Sequence, residues 1–285
     1  MDLPPIVASD AGPASQADPS IRHPALVPLQ VADRKPLTLF GAPAEAVLLP
    51  ARAYRSDRPS PQRPPFGPCR AEAILRDETL WTSNDGQLAA TPNKFPFVRD
   101  QLILWPTQPM RDPSLPLWTV AHQWVHAQQG VGMLNNIGAA ASIPRAHVHL
   151  GNERGGFLPA LKTKPSPFAL DLPLGVTAEV ADLPFCLLVL RGSPEARAEA
   201  VWRLAEQRFT PTWNVVVDPE GTWVMPRSRE HGGGGGAVFA AAVGAAEVWG
   251  RWCFASAEAW QRAAPGLAKP ELLEAELAAV GVGVG

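Results

Sequence analysis

Two stretches of helical periodicity, each set among apolar runs of strand length, constrain this chain more than any other feature. Leu117 to Gln129 carries Trp118, Ala121, Trp124, Val125 and Gln128 along one stripe, with Gly130 placed as its C-cap. The second stretch, from Pro194 to Phe209, is amphipathic in the same way and has Pro194 near its start. Around the first helix the strand signals are Leu102 to Trp105, Gly132 to Ile137, and Ala146-His-Val-His-Leu. Around the second they are Pro184-Phe-Cys-Leu-Leu-Val-Leu and a hairpin, Thr212-Trp-Asn-Val-Val-Val and Thr222-Trp-Val-Met, over Asp218-Pro-Glu-Gly. Upstream, Ala71-Glu-Ala-Ile-Leu-Arg and Leu80-Trp-Thr read as short strands around the polar turn Arg76-Asp77-Glu78.

A short echo accompanies this order: Asn93 precedes the strand ending in Trp105-Pro106, and Asn214 precedes the strand that runs from Trp223 to Pro226. The pattern predicts an α+β fold of two half-repeats, about 70–165 and about 180–285, forming an antiparallel sheet with helices on one face. Residues 1–69 are set apart as a proline-rich N-terminal segment, with Pro59, Pro61, Pro64, Pro65 and Pro68 crowded together. Such a run denies regular elements their backbone donors, so it is expected to wrap the fold or stay partly disordered.

Composition narrows the function. The net charge of -2, with no basic cluster interleaved with aromatics, removes the electrostatic footprint of a nucleic-acid binder. Cys69, Cys186 and Cys253 form no Cys-x-x-Cys pair, which argues against a disulfide framework or a Cys-rich zinc site and fits a reducing cytoplasm. The start Met-Asp-Leu-Pro-Pro is no secretory signal. The apolar run from Ala237 to Gly250 is interrupted by Glu247 and is too short for a bilayer, so no membrane segment is expected.

Chemistry concentrates in the stretch from Asn135 to Leu150. On a strand, residues two apart share a face, so His147 and His149 present both imidazoles to one surface, about 7 Å apart along the chain. The small residues Gly138 to Ser142 let backbone amides approach a phosphate. An imidazole attacking phosphorus beside such donors divides one hard displacement into two easier ones. A bare His-x-His is also the polar face of a solvated strand, and paired imidazoles suit several transition metals, but no third ligand lies nearby.

The surrounding pattern resembles the larger branch of the histidine-triad superfamily: galactose-1-phosphate uridylyltransferase, the diadenosine tetraphosphate phosphorylases and the GDP-hexose phosphorylases. That family carries an Asn, a Gly-Ala-rich turn, a Ser or Thr, then His-x-His followed one residue later by Gln. Here these fall on Asn136, Gly138 to Ala141, Ser142, His147 and His149. Asn93-Lys-Phe-Pro-Phe resembles the family's first half. Trp213-Asn-Val-Val-Val with the strand ending at Pro226, and Gly244-Ala-Ala-Glu-Val-Trp-Gly, resemble its second.

The resemblance implies that His149 is the nucleophile that takes a nucleoside monophosphate, with His147 helping to hold the site. Ser142 and Asn136 would contact phosphate oxygens, Asn93 and Lys94 would line the nucleotide site, and Arg227 and Ser228 would close over the leaving polyphosphate. The substrate implied is a nucleotide or nucleotide-sugar, with a slight lean, through Glu247, to a nucleoside diphosphate-hexose over a diadenosine polyphosphate. Inorganic phosphate as acceptor makes a phosphorylase, a sugar phosphate a transferase, and water a hydrolase. Neither cofactor nor metal is implied, and a homodimer is plausible.

One departure stands out: the family's Gln, or third His, falls on Gly151, where Arg145 or Asn152 would have to substitute. The same gap admits a nucleotide-binding protein with weakened catalysis. Outside this stretch, His122 and His126 lie one turn apart on the first helix without the Glu of a metalloprotease motif, and read as helix surface. Gly232 to Gly236 lacks a P-loop ending and reads as a flexible loop.

Overall fold

A computed structural model describes residues 26–54, 71–232, 238–239 and 241–283. The prolines from Pro59 to Pro68, Cys69 and the glycines beyond Gly232 in the glycine run lie outside the described residues. The strands are β1 (Asp33–Leu39), β2 (Ala42–Leu48), β3 (Trp81–Thr82), β4 (Leu88–Pro92), β5 (Leu102–Pro106), β6 (Val131–Asn135), β7 (Val148–Gly151), β8 (Thr163–Pro165), β9 (Thr177–Ala181), β10 (Leu188–Arg191), β11 (Trp213–Val217), β12 (Thr222–Pro226) and β13 (Arg251–Phe254). The helices are α1 (Ala71–Glu78), α2 (Leu115–Gln128), α3 (Phe157–Ala160), α4 (Pro194–Glu206), α5 (Ala245–Val248), α6 (Ala257–Ala263) and α7 (Pro270–Val280).

Ten strands make one antiparallel sheet in the order β3-β4-β5-β7-β6-β11-β12-β10-β9-β8. Its two halves mirror each other across the β6–β11 seam. The chain runs strand, strand, helix, strand, strand as β4, β5, α2, β6, β7 and again as β9, β10, α4, β11, β12. The fold is therefore α+β with two half-repeats. The sequence echo aligned the wrong strands, however. It set β5 beside β12, whereas β5 occupies the position of β10, and β12 that of β7.

The long helices form where the sequence places them and for local reasons. Ser114 caps α2 by accepting from the Leu117 amide, and Ser193 caps α4 by accepting from Ala196, each followed by a proline in the first turn. α2 ends on Gln129, in the left-handed region at φ 52°, so the turning residue is one earlier than the glycine expected to cap it. Both helices lie on one face over Leu102, Leu104, Leu134, Val148, Leu150, Val215 and Val217. Gln128, expected on the buried stripe, is exposed, and the buried stripe includes His122 instead.

Period-two alternation sends the intervening residues, among them Met133, Val216, Trp223 and Met225, to the opposite face. That face is covered by a small sheet in the order β1-β2-β13 together with the C-terminal helices. Helices thus lie on both faces, with the long pair confined to one. The β1–β2 hairpin arises inside the segment expected only to wrap the fold. Pro36 sits on edge strand β1, and Pro43 precedes the stretch from Glu45 onward that pairs with β13, so neither removes an essential ladder bond. Phe40 and Gly41 turn the hairpin with φ of 49° and 77°.

Ala71–Glu78 corrects the strand reading made above. Its residues are strong helix formers, and Ala71, Ile74 and Leu75 fall at helical spacing to pack on Ile103 and Trp105. No helix among the described residues is long and apolar enough to cross a membrane.

Candidate functional site

The histidines lie on the face away from α2 and α4. Because Val148 and Leu150 point into the core beneath those helices, His147 and His149 point the other way, as period-two alternation requires. Their rings meet edge to face with centroids 5.0 Å apart. His147 is buried and stacks on Trp105 at 4.9 Å, with 28° between the ring planes. Its Nδ1 lies 2.8 Å from the Arg145 carbonyl oxygen, which can only accept, so Nδ1 carries the proton and the ring is fixed in place. His149 is half-buried, with Phe97 against it edge to face at 5.4 Å.

Phe97 belongs to the loop after β4 that begins at Asn93. Asn93 is buried, and its Oδ1 accepts from the Phe95 amide, shaping the turn that delivers Phe97 to His149. Arg52, from the N-terminal segment, donates to the Phe95 carbonyl and covers the Phe97 ring at 5.1 Å. Lys94 points elsewhere, to an exposed ion pair with Glu78 at 2.8 Å.

Across the sheet, Met133 pairs with His149, so two residues further along the register sets Asn135 opposite His147. Asn135 in turn pairs with Asn214 across the seam. Asn135 is therefore the asparagine beside the histidines. Asn136 turns to Asp112, donating from Nδ2 at 2.7 Å, while its own amide donates to the Trp213 carbonyl. The resemblance puts the motif's asparagine on Asn136, and the strand register puts Asn135 on the histidine face instead.

The small-residue turn follows directly. Gly138 and Ala140 adopt φ of 85° and 69°, and the Ala139 amide between them donates to the Asn136 carbonyl at 2.9 Å. A Cβ on Gly138 would meet the Thr212 methyl at 2.9 Å, and the left-handed φ there suits glycine. The Ala140 amide donates to the Glu230 carboxylate at 3.1 Å. Ser142 is half-buried on the same turn.

Arg145 is buried and engaged by backbone carbonyls, donating to those of Pro106 and Thr107, with Glu72 at 3.5 Å. Arg227 likewise turns inward, in place of the expected reach over a polyphosphate. Its guanidinium donates to Asn214 Oδ1 and to the carbonyls of Val243, Arg229 and Glu230, and burial lowers its pKa to about 10. Ser228 donates to the Val280 and Gly281 carbonyls. Glu247, which carried the lean to a hexose substrate, is buried and accepts from the Gly244 amide at the start of α5.

Gly151 is closed to any side chain, because a Cβ there would lie 2.2 Å from Val98 Cγ2. His122 is not on the helix surface; it is fully buried, with Nδ1 2.8 Å from the Trp118 carbonyl and Nε2 2.8 Å from the Thr222 hydroxyl. Burial pushes its pKa down to about 3. No group of three or more potential metal ligands occurs among the described residues. Two cavities, of about 360 and 350 Å³, share Arg34 and Glu153, and none of the expected site residues lines either. The second is bounded by Arg251, which donates to the Phe97 carbonyl at 2.7 Å.

With this geometry in place, solved structures decide the fold. Yeast Ap4A phosphorylase Apa2 in complex with Ap4A superposes with a TM-score of 0.66 at 14% identity, over 90% of this chain and 91% of that one. The chain shares the fold of Apa2. Apa2 alone gives a TM-score of 0.66 at 15% identity, covering 91% and 92%, and Apa2 with AMP gives 0.64 at 14% identity with the same coverage. No protein-family model and no curated protein sequence matches the chain. At this identity the likeness extends to the fold alone.

In that fold the two halves of this chain are not equivalent. The place of His149, flanked by Ile103 and Met133, is taken in the second half by Trp223, flanked by Val189 and Val216. Only the first half carries imidazoles at these positions.

Proposed function

We propose that the chain is a nucleotidyltransferase of the phosphorylase kind, working through a nucleotidyl group held on His149. The observation that carries the proposal is the juxtaposition, on one sheet face, of a half-exposed imidazole, a tautomer-fixed neighbour and a turn of small residues. In the first step an imidazole nitrogen of His149 bonds to the α-phosphorus of a nucleoside phosphoanhydride, and the bond from phosphorus to the bridging oxygen breaks, expelling the remainder as a phosphate anion. In the second step an oxygen of inorganic phosphate attacks that phosphorus, His149 leaves, and a nucleoside diphosphate is released. The donors assigned to the phosphoryl oxygens, where charge accumulates in both steps, are Ser142 and the side-chain amide of Asn135, since the Ala139 and Ala140 amides of the turn are given to the Asn136 carbonyl and the Glu230 carboxylate. His147 steadies its neighbour, and Asn93 acts through the Phe97 turn.

The donor proposed first is a dinucleoside polyphosphate. Apa2 has been crystallised with Ap4A and with AMP, and Glu247 is consumed in capping α5. Nucleoside diphosphate-hexoses form the second arm of the test. The protein is incubated with Ap4A, GDP-hexoses or UDP-hexoses, with and without phosphate, and its intact mass is measured. A nucleotidyl adduct that disappears in His149→Ala is expected. Nucleotide binding without adduct or product under any condition overturns the enzyme reading. It would establish instead a nucleotide-binding protein, the reading favoured by the closed position at Gly151.

A further inference from the structure

Asn135 is held by two donors on one atom. Its Oδ1 accepts from Asn214 Nδ2 at 2.8 Å and from the Ala245 amide at 2.7 Å. A side-chain amide whose oxygen faces two N–H groups must turn its own NH2 the other way, and no bond from Asn135 Nδ2 occurs among the described residues. What fixes Asn214 is equally constrained. Its Nδ2 spends one hydrogen on Asn135 and the other on the Ala139 carbonyl at 2.9 Å, and its Oδ1 accepts from Arg227. A guanidinium has no acceptor, so Arg227 dictates which end of Asn214 faces it.

We propose that Arg227 and Asn214 are positioning residues: from the second half-repeat, across the seam, they set the Asn135 amide so that it offers donors to a phosphate at the histidines. Each link is settled by chemistry rather than by packing. Arg227 donates only, so Asn214 presents oxygen to it and nitrogen to Asn135. Asn135 then presents oxygen to Asn214 and the NH2 group to the site. The same Asn214 nitrogen bonds the Ala139 carbonyl, which ties the small-residue turn to the relay. The buried guanidinium belongs to this relay and not to the leaving group. The proposal rests on the nucleotidyl-transfer reading of the site.

The test is a double-mutant cycle on AMP affinity, measured by calorimetry on the full chain, with adduct formation from Ap4A as a second readout. Asn214→Asp keeps the acceptor for Arg227 but turns both donors into acceptors facing the Asn135 and Ala139 oxygens. AMP affinity should fall roughly ten- to hundred-fold, the range for one hydrogen bond to a charged group. Asn135→Ala should cost a similar factor, and the two changes together no more than Asn135→Ala alone, because Asn214 acts through Asn135.

Asn135→Asp guards against misfolding. It keeps both incoming donors while replacing the NH2 with an anionic oxygen, and should weaken AMP binding at least as much as Asn135→Ala. Unchanged AMP affinity in Asn135→Asp, or losses from Asn214→Asp and Asn135→Ala that multiply, overturn the relay while leaving the nucleotidyl-transfer reading in place. A wild-type protein that binds no AMP and forms no adduct overturns both, and the wild-type control separates this case from the others.

Discussion

Gly151, where the resemblance calls for a functional side chain, makes a quantitative test of whether this departure is built into the packing. Its φ lies outside the left-handed region, so adding a Cβ brings no backbone strain; the obstacle is steric. An added Cβ would lie 2.2 Å from Val98 Cγ2 and 2.9 Å from Val98 Cβ, and Val98 is 1% exposed, with little room to yield. Overpacking of this kind costs ~1–3 kcal/mol, so Gly151→Ala should lower the melting temperature by ~2–4 °C for each kcal/mol lost. Val98→Ala alone removes two buried methyl groups, about 1.5 kcal/mol of transfer free energy plus a cavity penalty. Combined, the new methyl group enters the space Val98 vacates, so the double variant should be more stable than the sum of the single effects by ~1–3 kcal/mol. Urea unfolding of the four proteins measures this coupling. Additive effects, or a Gly151→Ala protein as stable as the parent, would refute the argument.

Four further outcomes follow from the same packing. Arg251 is buried between Glu45 and Glu153, each at 2.6 Å, and its loss strands two carboxylates, so Arg251→Met should cost ~3–5 kcal/mol in urea unfolding. Burial opposes the Glu153 carboxylate, yet the Arg251 hydrogen bond and charge hold its pKa below the ordinary 4.5. The stability it contributes is present above that value, declines as pH falls through the depressed one, and should be missing from the pH profile of Arg251→Met. His122, with a pKa pushed down to about 3, stays neutral in the fold while the unfolded chain takes up a proton below 6.5; stability should fall between those values by up to ~1.4 kcal/mol per pH unit, a slope removed in His122→Gln. Burial raises the Cys186 and Cys253 thiols to about 11 and 12, so a thiol reagent at neutral pH should label neither before unfolding.

What the sequence reveals of this fold is local. The caps at Ser114 and Ser193, the prolines that follow them and the apolar strand runs all act within a few residues, and those elements form as expected. Misreadings arise where a neighbour distant in sequence decides the outcome. Ala71–Glu78 has the composition of a helix and the apolar content of a short strand, and the choice is made by Ile103 and Trp105, against which its helical face packs. The β1–β2 hairpin is masked by its prolines, which become harmless only once β13 pairs with β2 beyond Pro43. His122 looks like a surface histidine until Thr222, a hundred residues away, supplies its partner.

The site follows the same division. His147 and His149 share a face because they are two apart on a strand, and the turn of small residues is visible as composition. The asparagine that stands beside them is not, since Asn135 and Asn136 are adjacent and only the pairing of Met133 with His149 assigns the face. Arg227 illustrates the harder case. At a strand end beside Ser228 it has the sequence signature of a phosphate clamp, but its position places it on the histidine face of a strand whose seam partner carries Asn214, and there the buried acceptors claim it first. Asn135 and Asn214 are paired across the seam, yet under the pseudo-symmetry that matches Met133 with Val216 the equivalent of Asn135 is Asp218 and that of Asn214 is Val131. His149 and Trp223 are equivalents, and they differ. The second half-repeat has no imidazole at the place proposed to bond phosphorus, and the asparagine it sends across the seam, Asn214, has no counterpart at Val131 in the first half. That asymmetry is what the relay predicts of a supporting half.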